Sequence, residues 1–173
     1  MTALGCRWHG PALSSAGMAH PEEQGPAGPG EQVTVIVDGA NVMGSRADGW
    51  WRDRAGAMVR LHEELVRLAA RGVPGLPGDD APTGGHAVVG EAWFPDFVLV
   101  VEGKARLAAE RVMQDRRVRV VAAPGSGDDE IAALAHDLPG RRIVVTADRE
   151  LRRRCLAGGA EVTGPRWLLR LLK

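Results

Sequence analysis

The chain has 173 residues, which is enough for one domain with a substantial buried core. Its 22 basic and 22 acidic side chains give a formal net charge of zero, so the overall charge neither indicates nor excludes a nucleic-acid partner. No apolar run approaches the roughly 20 residues that cross a bilayer, and Cys6 and Cys155 fit no metal-ligand or redox spacing. These features predict a reduced, cytoplasmic protein that does not enter a membrane.

Strands and helices alternate along most of the chain. Residues 1–32 contain scattered Gly and Pro without periodicity and are predicted to be a disordered tail, which leaves 33–173 as the folded domain. The predicted strands are Val33–Val37, Phe97–Val101, Val118–Ala122, Ile143–Val145 and Ala160–Thr163. The predicted helices are Asp53–Arg71, Ala105–Met113, Asp128–Leu138, Arg149–Ala157 and a last one beginning near Pro165. A long Gly- and Pro-rich loop is expected at 72–92. Continuous apolar strands that alternate with helices indicate a three-layer, Rossmann-like α/β fold with a mostly parallel sheet of about five strands.

Acidic residues follow three of these strands at the point where each strand ends. Asp38 directly follows the first strand, and Asp148 follows the fourth. The third strand leads through a Gly-Ser-Gly segment into Asp128 and Asp129. Ligands of parallel sheets bind outside the carboxyl ends of the strands, so these carboxylates are expected to converge. Clustered carboxylates repel one another unless a cation lies among them, and oxygen ligands suit Mg²⁺ or Mn²⁺ better than zinc. The pattern predicts a divalent-metal site of the kind that activates water near a phosphoryl group.

Each of these acids also has an ordinary structural explanation. Asp38 begins an Asp-Gly turn pair, and Asn41 can complete the same turn or orient a metal-bound group. Asp128 and Asp148 both stand where a helix begins, and aspartate is a favoured N-cap. Only their conjunction at one edge of a sheet favours the metal site over these local roles.

Motifs for other chemistries are missing from the sequence. No glycine-rich dinucleotide motif and no phosphate-binding loop follows a predicted strand. An aspartyl-phosphate phosphatase needs a second acid two positions after Asp38, and that position is Ala40. Ser45 and Ser126 have no histidine that could serve as a base, which argues against nucleophilic catalysis.

Three short motifs together resemble those of the NYN branch of PIN-like nucleases, and most closely its bacterial YacP-like group. They read Val-Ile-Val-Asp38-Gly-Ala-Asn41, then Gly-Asp128-Asp129, then Val-Val-Thr146-Ala-Asp148. The resemblance covers residues 33–172 and implies a PIN-like fold and hydrolysis of RNA phosphodiester bonds with Mg²⁺ or Mn²⁺. It implies that Asp38, Asp128 and Asp148 are metal ligands, that Asn41 supports the site, and that Thr146 is the small hydroxyl residue before the last acid.

The resemblance also implies one further acid from the middle of the chain. Glu102 stands directly after the second predicted strand and is the best positional candidate. Asp129 is the alternative, and the sequence leaves the choice open.

Several aromatic and basic residues lie near the predicted acidic edge. Indole rings stack on unpaired bases and guanidinium groups bind phosphate, so single-stranded RNA is the expected partner. One of the two adjacent tryptophans is expected to pack in the core instead. The candidates for RNA contact are Trp50, Trp51, Arg52, Lys104, Arg106 and Arg149.

Three other functions remain compatible with the same residues. The domain could bind RNA without cleaving it, or it could be a small phosphohydrolase that acts on free nucleotides. The third alternative is a scaffold whose last helix docks a partner through an apolar face formed by Leu168, Leu169, Leu171 and Leu172. Metal-dependent cleavage of RNA distinguishes the nuclease from all three.

Overall fold

The computed structural model describes residues 32–78, 92–110, 112–113 and 115–173. The predicted disordered tail, apart from Gln32, and most of the predicted 72–92 loop lie outside these residues. Within the described ranges, no helix has the length and apolar character needed to cross a membrane.

A single parallel sheet forms the centre of the described structure. Its strands are β1 (Val33–Asp38), β2 (Asp96–Val101), β3 (Val118–Ala122), β4 (Arg141–Val145) and β5 (Glu161–Thr163). They are ordered β3-β2-β1-β4-β5, and every neighbouring pair is parallel. The carboxyl ends of all these strands therefore lie along one edge, with Asp38 of the central strand in the middle. The predicted α/β fold with a parallel five-stranded sheet is confirmed.

Helices cover both faces of the sheet. They are α1 (Gly39–Gly44), α2 (Arg54–Arg71), α3 (Arg106–Ala109), α4 (Gly127–Asp137), α5 (Arg149–Ala157) and α6 (Pro165–Leu171). Successive side chains of β1 point to opposite faces, as the pleat requires. Val35 and Val37 belong to the larger apolar cluster, with α2 and α6, whereas Ile36 belongs to the smaller cluster, with α4 and α5. The three predicted layers are thus present.

The structure corrects the sequence predictions in two segments near the site edge. The first residues after β1 form the short helix α1 where only a turn was expected, because the Asp38 side chain accepts a hydrogen bond from the Asn41 N–H and so starts a helix. The helix predicted over 105–113 is only α3, preceded by a 3₁₀ turn. The buried residues of this segment are small, Ala105 and Ala108, whereas the larger Leu107 and Met113 are 70% and 86% exposed, so little apolar area is buried that would stabilise further turns.

Candidate active site

Asp38 is the last residue of β1 and a buried carboxylate at the centre of the sheet edge. Its Oδ1 atom accepts a hydrogen bond from the Asn41 N–H at 3.0 Å. Its Oδ2 atom accepts two more, from Asn41 Nδ2 and from Thr146 Oγ1, each at 2.8 Å. A buried charge is costly unless hydrogen bonds compensate it, and these three donors provide that compensation.

A hydrogen-bond network joins the end of β1 to the junction between β4 and α5. Thr146 is fully buried, and its hydroxyl also accepts a hydrogen bond from the Asp148 N–H at 3.2 Å. The Asn41 Oδ1 atom accepts a hydrogen bond from the Ala147 N–H at 3.2 Å. Asp148 caps α5, because its Oδ1 atom accepts a hydrogen bond from the Leu151 N–H at 2.8 Å. Asp38 and Asp148 therefore both make the local hydrogen bonds that were the structural alternative to a metal site. The Thr146 hydroxyl, which contacts both residues, also keeps them close together.

Asp128 lies in the first turn of α4 and accepts no hydrogen bond from the described residues. Burial raises the pKa of Asp128 above its ordinary value, and three neighbouring carboxylates raise it further. These carboxylates belong to Asp38, Asp148 and Glu102, while Arg154 acts in the opposite direction. Asp38, Asp148 and Glu102 therefore lie near enough to Asp128 for their charges to raise its pKa.

The structure separates the two candidates for the further acid. Glu102 follows β2, and its Oε2 atom accepts a hydrogen bond from the Gly127 N–H at 2.8 Å, next to Asp128. Asp129 is exposed, and its Oδ1 atom pairs with Arg154 Nη2 of α5 at 2.7 Å. Glu102 therefore lies with the acidic group, whereas the Asp129 carboxylate is bound to a cation on the neighbouring helix.

The donor set fits a hard divalent cation in its chemistry. Within the described part of the chain, no group of three or more His, Cys, Asp or Glu side chains is close enough together to hold a metal ion. Asp128 has no competing hydrogen bond, and in Asp148 only Oδ1 accepts one within the described residues. These carboxylates are thus of the oxygen-ligand type that Mg²⁺ and Mn²⁺ prefer, but in this structure the acids among the described residues are not gathered closely enough to hold an ion.

The two adjacent tryptophans have different environments. Trp50 is partly buried against the core, whereas Trp51 is 57% exposed. Their rings meet edge to face, with centroids 6.4 Å apart. The Arg52 guanidinium lies 5.9 Å from the Trp51 ring, and that of Arg54 lies 5.4 Å from the Trp50 ring. Trp51 therefore presents an accessible aromatic surface with a cation beside it.

The other basic candidates lie at the carboxyl edge of the sheet. Lys104, in the turn after β2, and Arg149, at the start of α5, are exposed and bind no partner among the described residues. Arg106 is exposed and makes one long hydrogen bond from Nη1 to the Pro124 carbonyl at 3.5 Å. Arg154 of α5 pairs with Asp129 of α4. No local sequence pattern connects the two residues, because the contact depends on the packing of α4 against α5.

Comparison with known proteins shows the fold of the chain. No protein-family model and no curated protein sequence matches it. Two crystal structures of Rae1 (YacP) from Bacillus subtilis do resemble it. For one, the TM-score is 0.58 at 18% identity, over 80% of this chain and 72% of that chain. For the other, a single-residue mutant, the TM-score is 0.55 at 16% identity, and the match covers 82% of this chain and 75% of the mutant chain. The resemblance to the YacP-like group that the three motifs indicated is thus confirmed at the level of the fold.

Proposed function

Starting from the fold that this chain shares with YacP, we propose that it is a cytoplasmic, Mg²⁺- or Mn²⁺-dependent ribonuclease that hydrolyses RNA phosphodiester bonds. One observation carries the proposal: the Thr146 hydroxyl joins Asp38 to Asp148 by hydrogen bonds at the carboxyl edge of the sheet, and besides burial the charges of both acids raise the pKa of Asp128 beside them. A fold gains no stability from such repulsion, so a cluster of this kind is more readily explained by a cation-binding role. The free, buried Cys155 thiol is consistent with a reducing compartment.

The residues of the proposed site have distinct tasks. Asp38, Asp128 and Asp148 would hold the cation, which supplies an activated water and neutralises charge on the scissile phosphate. Asn41 and Thr146 fix the orientation of the Asp38 carboxylate through their hydrogen bonds to Oδ2. Asp128 accepts no hydrogen bond from any residue that the structure describes, so its oxygens are not committed to one there.

Cleavage of defined substrates tests this function directly. The full chain is incubated with an end-labelled, unstructured RNA and with its duplex form, in Mg²⁺, in Mn²⁺ and in chelator. We expect cleavage of the single strand with either metal and none in chelator. RNA that is bound but left intact in both metals would contradict the proposal and identify an RNA-binding module. Phosphate released from free nucleotides, with RNA left intact, would instead identify a phosphohydrolase.

Single-stranded RNA is the substrate that the exposed Trp51 ring favours. Stacking of one base on an aromatic ring contributes about 1–3 kcal/mol, so Trp51→Ala is expected to weaken RNA binding about tenfold. Leu156→Ala is the matched control, because Leu156 is also 57% exposed and lies on α5. Binding is measured by fluorescence anisotropy in chelator, where no cleavage occurs. Equal affinity of the native chain and Trp51→Ala would show that the ring does not contact RNA.

A further inference from the structure

Glu102 joins the end of β2 to the helix that carries Asp128. Its Oε2 atom accepts a hydrogen bond from the Gly127 N–H at 2.8 Å, across 25 residues of sequence. Gly127 is the first residue of α4, and Asp128 is the second. The contact therefore lies directly beside an acid of the proposed site.

The N-terminus of α4 has no side-chain cap of its own. Ser126 occupies the N-cap position, but its side chain accepts no hydrogen bond from the first turn. By contrast, α1 and α5 are capped by Asp38 and Asp148, the acids that precede them. The first N–H groups of a helix have no partner within the helix, and at α4 Glu102 supplies one from the neighbouring strand.

Gly127 is suited to this contact by its size. A Cβ atom at this position would lie 2.9 Å from Glu102 Oε2, closer than such atoms approach in folded proteins, and 3.3 Å from its carboxyl carbon, so the carboxylate would have to shift. Glycine at this position therefore leaves space for the Glu102 carboxylate. Two residues earlier, a Cβ atom at Gly125 would meet nothing within 4 Å.

The segment before α4 is fixed to the same place. The Ala123 N–H donates to the Val101 carbonyl at 2.9 Å, and Arg106 Nη1 reaches the Pro124 carbonyl at 3.5 Å. Glu102 completes this attachment at the first turn of the helix. The position of Asp128 relative to the sheet thus depends on the end of β2.

We propose that Glu102 is a positioning residue, which holds the first turn of α4 and thereby sets the place of the Asp128 carboxylate, and that it acts through its hydrogen bond rather than as a metal ligand. This inference rests on the proposed function for its catalytic consequence. Its structural part, in which Glu102 holds the first turn of α4 and with it Asp128, depends only on the hydrogen bond from the Gly127 N–H to Glu102.

Amide exchange of the metal-free, full-length chain tests the attachment without any activity. In Glu102→Ala, the Gly127 amide is expected to exchange at least about tenfold faster, because it loses its acceptor. Gly127→Ala displaces the same carboxylate. Glu102→Ala and Gly127→Ala are therefore expected to shift the Asp128 amide resonance in the same direction, whereas Gly125→Ala leaves that resonance unchanged. Combining Glu102→Ala with Gly127→Ala should add no further shift, because both changes remove one contact. Unchanged Gly127 exchange in Glu102→Ala would overturn the proposal.

Mn²⁺ affinity and cleavage kinetics then distinguish a hydrogen-bonding role from a ligand role. Glu102→Gln keeps an oxygen acceptor but no charge, so its Mn²⁺ affinity and kcat are expected to stay within about threefold of the native values. Glu102→Ala is expected to lower kcat about 10–100-fold with little change in KM, as supporting residues around metal sites commonly do. If Glu102→Gln loses as much activity and as much Mn²⁺ affinity as Glu102→Ala does, Glu102 is a metal ligand. If the native chain cleaves no RNA, the proposed function is wrong, and the exchange data alone decide the positioning role.

Discussion

Asp128→Asn is expected to reduce metal-dependent RNA cleavage by at least a hundredfold, because losing about 3 kcal/mol of stabilisation from a metal ligand corresponds to a factor of about 100. The variant separates function from folding better than a change at Asp38 or Asp148. Both of those carboxylates hold hydrogen bonds that start a helix, whereas the Asp128 carboxylate holds none within the described residues. The measurement is kcat/KM on single-stranded RNA in Mn²⁺.

The same substitution is expected to raise the melting temperature in chelator. Burial and neighbouring negative charges raise the pKa of Asp128, so its ionised form destabilises the folded state at neutral pH. Asparagine carries no charge and removes this repulsion. Mn²⁺ is expected to raise the melting temperature of the native chain but not that of the variant, because a cation bound only by the folded state stabilises it.

Asp129→Asn is the matched control for both measurements. It stands next in sequence on the same helix, and its carboxylate pairs with Arg154 rather than facing the acidic group. Cleavage and the Mn²⁺ response are expected to stay near native values. Loss of cleavage in Asp129→Asn with retention in Asp128→Asn would contradict the site described above and assign the ligand role to Asp129.

Thr146→Val is expected to lower the free energy of unfolding by about 2 kcal/mol and to reduce cleavage as well. The fully buried Thr146 hydroxyl donates to Asp38 Oδ2 at 2.8 Å and accepts from the Asp148 N–H at 3.2 Å. Valine has nearly the same shape but can do neither, which leaves a buried charge with one donor fewer. Chemical denaturation measures the loss of stability, and Mn²⁺ affinity measures the effect on the site.

Two variants make the result specific to the hydroxyl group. Thr146→Ser keeps both hydrogen bonds and is expected to retain most of the stability and activity. Thr34→Val removes a hydroxyl from another buried threonine, in β1, that forms no side-chain hydrogen bond among the described residues, and it should cost little. Equal stability of Thr146→Val and the native chain would mean that the network joining β1 to α5 does not orient Asp38.

Local patterns were sufficient for most of the fold. Continuous β-branched and apolar runs identified every strand of the sheet, and α5 was predicted at the residues where it lies, because an aspartate cap and a Gly-Gly end are local signals. Short elements were missed for an equally physical reason. Six residues of α1 carry too few apolar positions to show a period, and the 105–113 segment has a helical composition but buries only small side chains such as Ala105 and Ala108.

The sequence by itself determined that acids follow the strands, and a parallel sheet then requires them to meet at one edge. Only the tertiary structure decided which of them face each other. Neighbouring residues on a helix point about 100° apart, so the rotation of α4 against the sheet brings Asp128 within reach of the Asp38 charge and leaves Asp129 paired with Arg154 of α5. The hydrogen bond from the Gly127 N–H to Glu102 likewise joins two segments that are distant in the sequence. Such choices depend on how helices pack, which no local pattern contains.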